Sequence, residues 1–106
     1  MIALDVLTEL VGTLFFVSIV IVTGGQWWAV GAALAATIWL GSAAGCHSNH
    51  FNPAVSVALF ARGAMPAWRC ASYVAAQVAG GLAAMYLIRR WGLDVTKWLH
   101  SRGVLA

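Results

Sequence analysis

The stretch His47-Ser48-Asn49-His50-Phe51-Asn52-Pro53-Ala54-Val55-Ser56-Val57 decides the fold, because it starts a helix inside a hydrophobic run. Asn is a favoured N-cap, and Pro fits the first helical position, where its missing N–H is not needed. A helix therefore begins at Asn52 and runs from Pro53 about ten residues to Arg62. At 1.5 Å per residue that is roughly 15 Å, half of a hydrocarbon core of ~30 Å. Such a half-membrane helix puts its positive dipole end and unpaired N–H groups at the bilayer midplane, which is tolerable only against protein or a water-filled cavity. If the Asn52 carbonyl oxygen accepts from a first-turn N–H, its NH₂ group is left to donate into that cavity.

Composition sets the class. The chain of 106 residues is 62% hydrophobic and only 8% charged, with a mean hydropathy of +0.87, which reads as an integral membrane protein. Six basic residues against three acidic ones give a net charge of +3 and a pI near 9.4. Most of these charges sit at the ends of apolar segments, as interfacial anchors do, and no basic patch supports a nucleic-acid partner. Cys46 and Cys70 lack metal-ligand spacing and read as small core residues, with Cys46 alternatively reachable from a pore and open to thiol reagents. The N-terminus has no basic region ahead of its apolar run, and Asp5 and Glu9 do not suit a signal peptide, so the first apolar segment is expected to be retained.

Working outward, Val6 to Thr23 is a span candidate of about eighteen residues, closed by the polar turn Gly24-Gly25-Gln26 and followed by the interfacial pair Trp27-Trp28. A second span runs from Trp28 to Gly45 and is rich in Gly and Ala, which lets backbones approach closely. Cys46 to Phe51 forms a re-entrant connection into the half-helix. Gly63 ends that helix, Pro66 begins the next, and Trp68 to Ile88 makes a third span of about twenty-one residues. Arg89-Arg90-Trp91 marks its exit. In the tail, Trp91, Val95, Trp98 and Leu99 recur at helical spacing, with Asp94, Lys97 and His100 elsewhere, as in a short amphipathic helix at the membrane surface. The expected fold is an all-α membrane protein of three transmembrane helices plus one re-entrant half-helix, with a membrane domain over residues 1–90 and an interfacial tail over 91–106.

The segment His50-Phe51-Asn52-Pro53-Ala54-Val55-Ser56 resembles the first Asn-Pro-Ala signature of the aquaporin, or major intrinsic protein, family. Glu9-Leu10-Val11-Gly12-Thr13 is similar to the acidic residue and Gly-Thr of that family's first helix, and Gln77 sits where its third helix carries a Gln. The resemblance covers residues 6 to 88 and implies one half, the first repeat, of a six-span channel. It also implies a multi-pass protein of the cell membrane that is no enzyme and uses no cofactor or metal. Water and small neutral solutes would pass the backbone of Cys46, His47, Ser48, Asn49 and His50 and meet Asn52, Pro53 and Ala54 at the centre. Glu9 and Gln77 would hydrogen-bond the amides of the re-entrant loop, since a carboxylate inside a span needs partners and irregular backbone there needs satisfying. The His50 side chain either packs the loop or lines the pore.

The chain departs from the family in two places. Such loops usually read Ser-Gly-Ala-His, whereas this one reads His47-Ser48-Asn49-His50, so a flexible Gly is missing and Asn49 is the residue able to turn left-handed. Full-length members carry a filter Arg after the second Asn-Pro-Ala; this chain has Val55, and the neighbouring filter position on the second span is similar to Ala32, so the constriction is expected to be wider and less positive.

One half-helix lines half a conduit, so a second half must enter from the opposite face, either as an antiparallel copy of this chain or as a separate partner, with higher oligomers possible. Arg62 and Arg69 lie on one side of the membrane and Arg89, Arg90, Lys97 and Arg102 on the other, a weak bias that permits both insertions. Three alternatives compete. A proton-coupled, dual-topology small multidrug transporter also carries a first-helix Glu before Gly-Thr, but it needs four spans, and Trp91 to Ala106 is too short and too charged for the fourth. A truncated fragment without transport activity is the second, and a structural membrane protein that only packs helices is the third.

Overall fold

The computed structural model describes residues 2–92 and 95–105. Five helices follow in order: α1 (Ile2–Val22), α2 (Trp27–Ala43), α3 (Pro53–Ala61), α4 (Ala67–Trp91) and α5 (Thr96–Ser101), with no strand among the described residues. Two of them, α1 with 21 residues and α4 with 25, are long and apolar enough to cross a membrane. The apolar α2 has 17 residues, about 26 Å of helix, and α3 has nine, about 14 Å.

The sequence places these elements in the right order but shifts their ends. α1 begins at Ile2 rather than Val6 and takes Asp5 into the helix, because the Asp5 carboxylate finds partners in the protein interior. α2 stops at Ala43, short of Gly45. There Gly45 adopts a φ of 88°, the Gly45 N–H donates to the Ser42 carbonyl at 3.1 Å, and the Cys46 N–H donates to the Gly41 carbonyl at 2.9 Å. This paired closure ends a helix with its last carbonyls satisfied, and it favours a residue without a Cβ at the left-handed position. α4 continues through Arg89 and Arg90 to Trp91 and ends at the left-handed Gly92. The tail is therefore not one helix from Trp91. Trp91 belongs to α4, and α5 keeps only six residues, with Trp98 and Leu99 inside it. Leu93 and Asp94 of the tail lie outside the described residues.

α1 is the central helix. It packs along α4 and, over a smaller face, against α2, while α3 packs on α4. Gly80 permits the first contact: a Cβ there would strike the Leu10 carbonyl oxygen. The buried face of α2 is Ala29, Ala33, Thr37 and Gly41, spaced by one turn. Its other small residues, Gly31, Ala32, Ala35 and Ala36, are exposed, so only one of its small-residue faces is used within the chain.

Candidate functional site

The connection between α2 and α3 has little regular structure of its own, and its polar backbone needs partners. Two carboxylates one turn apart on α1 supply them. Asp5 Oδ1 accepts from the His47 N–H at 2.9 Å, and Asp5 Oδ2 accepts from the Tyr73 hydroxyl at 3.3 Å. Glu9 goes further: Oε2 accepts from the Ser48 hydroxyl at 2.7 Å and the His50 N–H at 2.9 Å, and Oε1 accepts from the Phe51 N–H at 2.6 Å and Gln77 Nε2 at 2.8 Å. An ionised carboxylate offers about four acceptor positions, and all are used on a side chain with no exposed surface.

These bonds hold an unusual backbone. Asn49 has a φ of 55° and Phe51 a φ of 54°. Asn tolerates the left-handed region, and Asn49 Nδ2 donates to Ser42 Oγ at 3.0 Å. For a bulky residue such as Phe51 the same conformation is strained, at a cost of about 1–3 kcal/mol. The Glu9 bond to its N–H and the near-complete burial of its ring offset that cost. The ring lies against Gly12, where an added Cβ would collide with it.

After Phe51 the chain turns into α3. Asn52 is the N-cap, with a φ of −156° and a ψ of 122°, and its Oδ1 accepts from the Ala54 N–H at 2.8 Å, while Pro53 takes the first helical position. The Asn52 side chain is exposed, and its Nδ2 has no partner among the described residues. At the next turn Ser56 is fully buried. Its Oγ lies 2.9 Å from Gln77 Nε2 and 2.8 Å from His50 Nδ1. The His50 ring also meets Tyr73 edge-on, with centroids 5.3 Å apart.

The sequence-predicted residues thus fall into two sets. Glu9, Gln77, Ser48 and His50 meet in one network, with Asn49 and Asn52–Ala54 at its margin. Gln77 reaches the loop at one remove, through Glu9 and Ser56 rather than through loop amides. Val55 and Ala32 are exposed on α3 and α2, helices that do not share one of the three main packing faces. The His47 side chain is exposed, whereas Cys46 is buried, with its Sγ 3.2 Å from Ser48 Oγ. Sequence reading missed Asp5, Ser56 and Tyr73. The one-turn spacing of Asp5 and Glu9, matched by that of Tyr73 and Gln77, was the available signal for two of them.

The sequence family model for the major intrinsic protein family matches residues 2–104. The chain belongs to this family. The protein named "Probable aquaporin TIP4-1" from Oryza sativa subsp. japonica is 44% identical over 75 residues, 71% of this chain and 30% of that protein. Aquaporin Z of Bradyrhizobium diazoefficiens is 44% identical over 69 residues, 60% of this chain and 28% of its own length. An aquaporin of Laccaria bicolor is 34% identical over 74 residues, 70% and 20% of the two chains. The aligned stretch thus spans under a third of each of these relatives. No solved structure gives a significant match. As a major intrinsic protein the chain is an all-α membrane protein, and the long apolar helices α1 and α4 accord with that.

Proposed function

We propose that this major intrinsic protein forms one half of a channel for water and small neutral solutes in the cell membrane and has no enzymatic activity. On this reading α1, α2 and α4 cross the bilayer and α3 enters to its midplane. Residues 1–90 are the membrane domain, and residues 91–106 lie at the interface. The observation that carries the proposal is Asn52. Its Oδ1 is committed to capping α3, which fixes the side chain and leaves the NH₂ group as a donor at the helix's positive end. A water that accepts from such a donor in each of two inverted halves cannot also accept a proton from its neighbour, and the two helix ends repel cations. The second half is an antiparallel copy of this chain or a separate partner. The family membership and the aquaporin names of the relatives support the solute class.

The Glu9 network favours a channel over a proton-coupled transporter. Glu9 has no exposed surface, and its acceptor positions are taken up by the loop and Gln77, which is a structural task. α5, with six residues, is too short to cross a membrane.

Val55 and Ala32 would line the constriction without a fixed cation. Liposomes containing the purified chain test the proposal by stopped-flow light scattering. The expected result is permeation of water together with glycerol or urea. Vesicles no more permeable than protein-free ones would reject a channel built from two copies of this chain.

A further inference from the structure

We propose that Ser56 fixes His50 as the tautomer carrying its hydrogen on Nε2, so that His50 presents a permanent N–H donor to solutes passing the loop. The functional half of this inference rests on the channel reading above. The tautomer itself rests on the hydrogen-bond network alone.

The chain of hydrogen bonds starts at Glu9. Its Oε1 is an acceptor, so the Gln77 atom 2.8 Å away must be the amide nitrogen, and the amide orientation follows. The same nitrogen lies 2.9 Å from Ser56 Oγ and donates its second hydrogen there. Ser56 is then an acceptor towards Gln77 and still has one hydrogen to place in a fully buried position, where an unused hydroxyl hydrogen is costly. Among the described residues the one acceptor within reach is His50 Nδ1, at 2.8 Å. Nδ1 therefore accepts, and the neutral ring carries its hydrogen on Nε2. Hydrogen-bond direction is transmitted through two side chains, Gln77 and Ser56, from a carboxylate on α1 to a ring on the loop.

Where that ring stands gives the consequence. His50 lines a recess of about 130 Å³ together with Asp5, His47, Ser48, Arg69 and Tyr73. Its Nε2 has no partner among the described residues. A solute entering the recess meets a donor at His50, and a solute at the start of α3 meets the Asn52 NH₂ group, two residues further along the chain. Both select for a lone pair on the solute. Ser56 and Gln77 are positioning residues in this scheme, because they act through His50.

Nitrogen-15 NMR of histidine-labelled protein in bilayers, recorded above neutral pH, reads the tautomer directly. His47→Gln and His100→Gln variants remove their own signals and leave that of His50 assigned. The expected spectrum has an unprotonated Nδ1 and a protonated Nε2 for His50. Ser56→Thr should keep that signature, and Ser56→Ala should give a mixture of tautomers. Water permeability of Ser56→Ala liposomes should fall by up to about fivefold, the worth of one hydrogen bond, with Ser56→Thr close to wild type. A hydrogen on Nδ1, a doubly protonated ring or a signature unchanged in Ser56→Ala would overturn the assignment. The expected tautomer with unaltered permeability in Ser56→Ala would overturn its role in conduction. A wild type with no water permeability would remove the channel built from two copies of this chain while the spectrum still decided the tautomer.

Discussion

Glu9 Oε1 lies 2.6 Å from the Phe51 backbone nitrogen, a bond between residues 42 apart in sequence. It joins the one carboxylate among the described residues that is wholly enclosed to the most strained residue of the loop, and it fixes the direction in which the chain enters α3. The Asn-Pro-Ala corner is placed by α1 as much as by its own cap.

Replacing Glu9 separates the acceptors it supplies. In Glu9→Gln the amide oxygen can keep Phe51 and Gln77, and the Ser48 hydroxyl can turn to accept from the new NH₂, but the His50 N–H loses its partner. That should cost about 1–3 kcal/mol. Glu9→Leu strands all four donors and should cost several times more, or prevent folding. Denaturant titration in detergent micelles should rank wild type above Glu9→Gln and Glu9→Leu last. Equal stability of the two variants would show that the bonds do not hold the loop.

Two glycine substitutions should have opposite signs. Gly12→Ala drives a methyl group into the Phe51 ring, which is pinned by its backbone, and overpacking of this kind costs about 1–3 kcal/mol. Gly31→Ala meets nothing within 4 Å and should gain about 0.5–1 kcal/mol from helix propensity. Thermal unfolding of both variants checks the contrast, and a Gly12→Ala protein as stable as wild type would contradict the packing described.

Cys46 and Cys70 are both buried, at 5% and 7% exposure. A bulky maleimide should modify neither at an appreciable rate in the folded protein and both after unfolding. Rapid labelling of Cys46 in the folded state would restore the reading in which it faces an open pore.

The filter positions predict selectivity. Val55→Arg places a cation and a long side chain where α3 leaves an exposed apolar one. It should suppress glycerol and urea more than water in stopped-flow measurements. A wild type that passes water but excludes both solutes would refute a wide constriction.

Much of this was legible in the chain because its chemistry is local. Asn52-Pro53 announces a helix start by itself, and a carboxylate at Glu9 inside an apolar run announces a need for partners. The order of the long apolar α1 and α4, with the shorter α2 and α3 between them, followed from the spacing of Gly and polar turns. What stayed hidden is non-local. Asp5 stands near the N-terminus, where a charge is ordinary, and only the folded loop reveals that His47 needs it. Nothing in the side chain of Phe51 signals a left-handed backbone; the Glu9 bond and the space left by Gly12 impose it. Ser56 reads as a routine helix residue until Gln77, from a different helix, arrives beside it.

The topology prediction bears on how two halves meet. On the proposed topology the basic residues are split between both sides, so a reporter fused after Ala106 should be found on both faces of the membrane. A single uniform orientation would exclude the antiparallel copy and leave a separate second half.

The most direct test of the central claim is the osmotic water permeability of liposomes carrying wild type or Asn52→Asp. The aspartate keeps an oxygen to cap α3, so the fold should be retained, as circular dichroism and unfolding can verify, but the NH₂ donor is gone. The account predicts permeability well above protein-free vesicles for wild type and a large loss for Asn52→Asp. Equal permeability of the two folded proteins would contradict it.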